Sequence, residues 1–313
     1  MKPIEPVFYR IFVRSPQILL HTFLTMNIKT TIKKIWFSLY NSGRVVLLDY
    51  PIIPTRIYSQ EKKHPHTGLF DIIRKNKLSY EQVLQNTLKY KDAFSTIIEE
   101  RLLKNKIDPG WNNGYLPGLD IITLYSLLAQ LNPSKYLEIG SGTSTKVAYK
   151  SRKENSLSYE IISIDPSPRK DISKVADKIY NQDIQQIDPE LFQTLNKGDI
   201  LFFDGTHTLY PNSDVMWFFL EVLPILKKGV VVHIHDIYWP YDYPEFILER
   251  YYNEQYLLGV LLLSNPEKYE ILCPNYFIYS DKELHNILDP IWKLDSLKNV
   301  EQHGGSFWIK IRE

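Results

Sequence analysis

Ten consecutive residues, Tyr136-Leu-Glu-Ile-Gly-Ser-Gly-Thr-Ser-Thr145, limit the fold more than any other stretch of the chain. A short apolar run ends in an acid and breaks at once into two glycines. That pattern reads as a buried strand entering a sharp turn, because glycine lets the backbone turn tightly and approach a ligand closely. Thr143 onward reads as a helix. A strand, a glycine turn and a helix in this order leave free backbone N–H groups beside the strand's C-terminal end, where a small cofactor can sit. The G-x-G alone fits an ordinary tight βα turn equally well, so the rest of the chain has to decide.

Downstream of that turn the order is strand, helix, strand, helix, with parallel-sheet character. Tyr159–Ile164 runs into Asp165-Pro-Ser-Pro168, and Lys178–Asp183 ends in an acid again. Asp199–Phe203 runs into Asp204-Gly-Thr-His207, and Val230–Ile234 into His235-Asp236. Four successive strands therefore end in acids, at 165, 183, 204 and 236, besides Glu138 near the end of the first. One strand-end acid is ordinarily a solvated loop residue or a helix cap. Four on the same edge of a parallel sheet line one crevice. Tyr269–Leu272 and Ser306–Ile311 read as two more strands that close the sheet as a terminal antiparallel hairpin. The expected fold is α/β: a doubly wound, mostly parallel seven-stranded sheet over residues 111–313, with a mainly helical N-terminal extension over 1–110.

In that extension, Ile28, Ile32, Ile35, Trp36 and Leu39 recur at helical spacing. The first 40 residues hold six Lys or Arg against the single acid Glu5. A helix packed on the main domain is the favoured reading, with a membrane-surface or partner contact as the alternative. His64-Pro-His66 reads as an exposed loop. Ser79-Tyr-Glu-Gln82 has the form of a capping box that opens a long helix continuing to Leu102. Trp111–Asp120 is a turn-rich stretch, read either as a loop lying over the cofactor or as a plain connector. Tyr238–Tyr243 is aromatic and serves either to stack on ring faces or to fill core.

Composition excludes some functions. A formal net charge of +1 gives no overall phosphate-binding excess, so no nucleic-acid partner is expected. The single cysteine, Cys273, rules out an intrachain disulfide framework and a thiolate-rich zinc site, and suits a reducing, cytoplasmic setting. The run Ile18–Met26 is too short and interrupted to span a bilayer.

Leu137-Glu-Ile-Gly-Ser-Gly-Thr143, Ile164-Asp165, Phe202-Phe-Asp-Gly-Thr-His207, His235-Asp236 and Gly304-Gly-Ser-Phe-Trp308 together resemble the class I S-adenosylmethionine-dependent methyltransferases. The Asp-Gly-x-His step and the His-Asp after the fifth strand are most similar to the bacterial group that includes the macrolide sugar O-methyltransferases. The resemblance covers roughly residues 111–313 and implies S-adenosylmethionine as cofactor. It places Glu138, Gly140, Ser141 and Gly142 around the methionine part, Asp165 on the ribose hydroxyls, Asp183 and Ile184 at the adenine, and Asp204 beside the methyl group. The acceptor it implies is a hydroxyl of a sugar, glycan or secondary metabolite, with His207 as general base near Asp204.

Metal-dependent relatives hold magnesium at positions matching Asp204, His235 and Asp236. Here His235 offers nitrogen where magnesium prefers oxygen, which leaves magnesium, manganese, another ion or none as alternatives. Tyr210 and Asp214 are further candidates for the acceptor pocket. Two rival readings stand beside this one. A nicotinamide-dependent oxidoreductase is disfavoured because the third glycine of G-x-G-x-x-G is missing. A non-catalytic binding or scaffold protein on the same fold, or a homo-oligomer, fits the same residues.

Overall fold

The computed structural model describes residues 32, 50, 52–105 and 107–312. Contacts divide the chain into residues 1–53 and 54–313, and the second of these is one compact unit. Apart from Ile32, the helix expected over residues 28–39 lies outside the described residues. Among those that are described, no helix is long and apolar enough to cross a membrane.

The unit opens with two helices, α1 (Thr67–Arg74) and α2 (Lys77–Thr87). His66, expected in an exposed loop, is the N-cap of α1: its Nδ1 accepts from the Leu69 N–H at 3.2 Å. The long helix expected from Ser79 is broken. It begins at Lys77 and gives way at Leu88 to a tight 3₁₀ turn and then a short helix, Lys91–Ser95. Its apolar residues Tyr80, Leu84 and Phe94 are all fully buried, so the core contact survives the breaks.

Trp111–Pro117 leads into the next helix and is held by Asn113, whose Nδ2 donates to the Gly110 and Leu116 carbonyls, each at 3.0 Å. Trp111, Asn113 and Leu116 are buried, whereas Asn112, Gly114 and Tyr115 are exposed, Tyr115 being flanked by Arg169 and Lys170 at 5.3 and 5.7 Å. Next comes α3 (Gly118–Leu131), apolar nearly throughout and buried from Gly118 to Leu128. It ends at Asn132, whose φ of 44° is the left-handed cap conformation that asparagine tolerates.

The sheet then builds as β1 (Lys135–Ile139), α4 (Thr143–Glu154), β2 (Glu160–Ile164), β3 (Lys178–Tyr180), β4 (Ile200–Phe203) and β5 (Val231–Ile234). Helix α5 (Glu254–Ser264), β6 (Tyr269–Pro274) and β7 (Phe307–Ile311) complete it. The strand order is β3-β2-β1-β4-β5-β7-β6. The first five strands are parallel, while β7 pairs antiparallel with both β5 and β6. The expected fold class is the one observed, the terminal antiparallel pair being joined through helices rather than by a tight turn.

Near-continuous apolar strands such as Ile200-Leu-Phe-Phe203 are fully buried, as a parallel sheet covered on both faces requires. Asp199 fastens the N-terminal edge, accepting from the backbone N–H groups of Ser134, Lys135 and Asn196 at 2.8–2.9 Å. The order reverses between β1 and β4, which puts the switch-point crevice at their C-terminal ends.

Candidate functional site

The glycine turn after β1 is pressed against the end of β4. Gly140 has φ 83°, and a Cβ built on it would stand 2.1 Å from the Asp204 carbonyl oxygen. Only glycine fits there. Ser141 donates through both its N–H and its hydroxyl to Asp165 Oδ2, each at 2.9 Å, while Asp165 Oδ1 accepts from the Ser167 N–H. The loop after β2 is thereby tied to the turn. A carboxylate has lone pairs for further donors, so these bonds leave Asp165 room for a ribose hydroxyl. Asp183 is exposed after β3, and Ile184 beside it is buried.

Glu138 sits one residue before the end of β1. It is fully buried, accepts from Tyr136 Oη and Ser144 Oγ at 3.1 and 2.9 Å, and is bonded also by Thr145 Oγ1. Burial pushes its carboxyl up to about 7 despite these hydroxyl donors. In this structure Glu138 fastens the start of α4 to β1.

The second part of the crevice gathers Asp204, His207, His235 and Asp236. The β4–β5 ladder continues through the bond from the His235 N–H to the Phe203 carbonyl at 3.0 Å, which brings both strand ends level. His207 and Asp236 both hold positive φ, 66° and 54°, a conformation that costs a non-glycine residue energy and that clusters at functional sites. His207 Nε2 stands 3.6 Å from Asp204 Oδ1 and 3.7 Å from Asp236 Oδ2. His235 Nδ1 stands 3.6 Å from the same Asp204 oxygen and 3.7 Å from Asp236 Oδ1. Two imidazoles and two carboxylates thus alternate around one space.

Each imidazole is backed on its other nitrogen by a buried carboxylate that the sequence reading did not single out. Glu254, the first residue of α5, meets His207 Nδ1 at 2.6 Å. Asp120, in the first turn of α3, meets His235 Nε2 at 3.1 Å. Asp120 also accepts from Asn275 Nδ2 and from the N–H groups of Gly305 and Ser306 at 2.7–3.0 Å. This is where the terminal Gly304-Gly-Ser motif is used. The one visible signal for Asp120 was a lone carboxylate in an otherwise apolar helix; Glu254 had none beyond its place at the head of an apolar run.

The charges follow from this arrangement. Although burial works against ionisation, His235 and then His207 hold the Asp204 carboxyl down to about 2. Burial alone would lower His207, but Glu254, Asp204 and Asp236 raise it to about 10. His235 is likewise held well above the usual histidine range, against its burial, by Asp236, Asp120 and Asp204. His233 differs: buried on Trp308 and bonded to Ser306, it is pushed well below the usual range by its burial.

The trio expected to hold a divalent ion does not offer magnesium the oxygen set it demands. Asp204 and Asp236 supply oxygens, but the third member is an imidazole whose Nε2 is bonded to Asp120. Among the described residues, the trio whose donor atoms approach within 4.8 Å of one another is Asp204, His207 and Asp236, again with one nitrogen. Such mixed donors suit a borderline ion in place of magnesium.

Of the acceptor-side candidates, Asp214 instead holds the turn after β4, accepting from the Thr206 N–H and hydroxyl at 2.7 and 2.5 Å. Tyr210 is exposed. Tyr238, Tyr241 and Tyr243 fill a small core of their own, and the exposed apolar groups just after His207 along the chain are Leu209 and Tyr210. A cleft of about 250 Å³ lined by Asn105, Ile107, Lys174 and Val175 shares no residue with this cluster.

Residues 137–237, which carry the glycine turn, Asp165, Asp204 and Asp236, match a family model described as a methyltransferase domain. This stretch is similar to a methyltransferase domain. Solved structures similar to the chain include the SAH-bound Podospora anserina methyltransferase PaMTH1 (15% identity, 62% of this chain and 78% of that one, TM-score 0.38). An O-methyltransferase from Bacillus cereus in complex with SAH is 12% identical over 74% of this chain and 91% of that one, with a TM-score of 0.36. The O-methyltransferase TomG from Streptomyces achromogenes, in complex with SAM, is 13% identical over 61% of this chain and 78% of that one, with a TM-score of 0.30. No curated protein matches the chain. The methyltransferase-like stretch ends at Ile237, so Glu254 and the Gly304-Gly-Ser turn lie beyond it, and Asp120 lies before it.

Proposed function

We propose that the protein is an S-adenosylmethionine-dependent methyltransferase that methylates a hydroxyl of a sugar, glycan or related metabolite. The observation that carries the reading is the contact of Gly140 with Asp204. It sets a turn suited to the donor's methionine part directly beside the Asp204–His207–Asp236 cluster, and the methyltransferase-like stretch spans both. Asp165 and Ser141 serve the ribose side, and Asp183 with Ile184 the adenine.

Methyl transfer needs an in-line approach of the acceptor oxygen and removal of its proton, because the sulfonium is already a good electrophile. His207 is the group that takes this proton. At neutral pH its Nε2 carries one already, so the ring must release it before it can accept. The donor's positive charge in the crevice disfavours the imidazolium and pushes His207 towards the neutral form. The exposed Tyr210, three residues after His207, suits an acceptor that lays a ring face against an aromatic side chain. No step requires a metal ion.

The test is calorimetric binding of S-adenosylmethionine together with turnover of labelled donor on a panel of hydroxyl acceptors. His207→Ala should lower turnover by about 10²–10⁴ while donor affinity stays within a few-fold. A chain that binds no donor refutes the reading, and unchanged turnover in the variant removes His207 from the chemistry.

A further inference from the structure

We propose that Glu254 is the positioning residue of His207, fixing the ring so that Nε2 alone is turned to the Asp204–Asp236 space. The purpose of this role rests on the methyl-transfer reading; its geometry does not.

Three consecutive residues build a seat for His207. Tyr252 stacks on the imidazole with ring centroids 4.3 Å apart and planes 23° apart. The Asn253 N–H donates to the His207 carbonyl at 3.0 Å, and Asn253 Oδ1 accepts from the Leu209 N–H at 2.6 Å. Glu254 then meets Nδ1 at 2.6 Å. Backbone, ring face and ring edge are all gripped from one short segment, and the residue gripped is one whose backbone is left-handed. Arg250 Nη1 donates to Tyr252 Oη at 3.2 Å and steadies the stacked ring in turn.

Fold stability does not explain Glu254. Its side chain is 1% exposed, and Oε2 is buried without a hydrogen-bond partner among the described residues. Burying a carboxylate with one oxygen unmatched is costly, and an amide or an apolar residue would head α5 at less expense. What the carboxylate adds is at the imidazole. Burial raises the Glu254 carboxyl to about 7 and His207 works against that; once ionised it is acceptor-only and requires the proton at Nδ1, so a neutral His207 carries its lone pair on Nε2, the nitrogen that faces Asp204 and Asp236.

The experiment compares the full-length wild type with Glu254→Gln, Glu254→Ala and Glu254→Asp. Glutamine keeps the shape and can still accept from Nδ1 but has no charge; alanine removes both; aspartate restores the charge on a shorter arm. Proton NMR should show a far-downfield Nδ1–H resonance in the wild type, assigned by its loss in His207→Ala, and shifted upfield in Glu254→Gln and absent in Glu254→Ala. Turnover in Glu254→Ala should fall about 10²-fold, the scale of a catalytic group misplaced by an ångström, with the KM for S-adenosylmethionine unchanged and partial recovery in Glu254→Asp.

A downfield resonance indifferent to Glu254→Gln and Glu254→Ala overturns the role, as does wild-type turnover in both variants. If the wild type methylates no acceptor, the NMR arm alone decides the positioning, and the failure belongs to the methyl-transfer reading. If the wild type turns over and Glu254→Ala changes only thermal stability, the reading stands and the positioning fails.

Discussion

His207 meets three carboxylates within 3.7 Å, and its behaviour with pH follows from that crowding. Its folded-state value is raised to about 10 from an ordinary 6.5, so the folded protein holds this proton more tightly than the unfolded chain does. The resulting stabilisation is complete below about 6.5 and declines as pH rises towards 10, where the folded state loses the proton too. Thermal unfolding from pH 6 to 10 should therefore show a steeper alkaline loss of stability in the wild type than in His207→Asn. Parallel curves would mean that the three carboxylates do not hold a proton on this ring. Catalysis has the opposite slope: turnover on a hydroxyl acceptor should rise as pH climbs and the ring becomes neutral, reaching its plateau at lower pH when donor is saturating. His207 was legible from the sequence because Asp204-Gly-Thr-His207 follows a strand directly. Glu254 was not, since 47 residues separate it from its partner and only the packing of α5 brings them together.

Where elements meet, two contacts decide whether the crevice forms. Gly140 lets β1 and β4 end side by side, and Gly140→Ala places a methyl carbon 2.1 Å from a backbone carbonyl that cannot swing away. Overpacking of this sort costs about 1–3 kcal/mol, and the displaced turn should abolish measurable donor binding; a calorimetric titration showing wild-type affinity would contradict the close approach. Asp120 is the second contact. It ties α3 to the end of β5 through His235, to Asn275, and to the turn before β7 through the Gly305 and Ser306 N–H groups. Asp120→Ala removes one partner of a buried ion pair and leaves His235 Nε2 unmatched, a loss of about 3–5 kcal/mol that a urea unfolding curve would register. Asp120→Asn should cost less, because the amide oxygen still accepts. The strands themselves were legible because parallel strands buried on both faces read as unbroken apolar runs. The helix expected to run from Ser79 to Leu102 was misread for the complementary reason. Its apolar spacing persists through Tyr80, Leu84 and Phe94, and periodicity carries no mark of the 3₁₀ turn at Leu88 that re-aims the chain.

At the scale of the whole molecule, the chain from Pro54 onward is held together across long stretches of sequence. The family resemblance covers roughly residues 111–313, while contacts make the chain from Pro54 onward one compact unit. Its first segment is bonded into the rest over long sequence separations: Asp242 Oδ2 accepts from the Ile57 and Tyr58 N–H groups at 2.7 and 2.9 Å, the His66 N–H donates to the Pro240 carbonyl at 2.8 Å, and Asn76 Nδ2 reaches the Ile271 carbonyl at 3.2 Å. Such pairings leave no trace in local periodicity, whereas the buried strands of the sheet do. They also make a definite prediction about truncation. A chain starting at Pro54 keeps every one of these bonds, together with the seven strands and both carboxylate-backed histidines, so it should unfold in a single cooperative transition and bind S-adenosylmethionine as the full chain does. A chain starting at Trp111 keeps the strands but loses α1, α2 and the bonds to Asp242, Pro240 and Ile271. It uncovers the surfaces on which Leu69, Ile73, Tyr80, Leu84 and Phe94 are buried, and burial of side chains of this size is worth about 1.5–3 kcal/mol each, against a total stability of only about 5–15 kcal/mol for a typical domain. The shorter chain should therefore aggregate or unfold without a sharp transition. Cooperative unfolding of the Trp111 chain with donor affinity intact would show that the segment from Pro54 to Gly110 is an accessory to the fold and not part of its core.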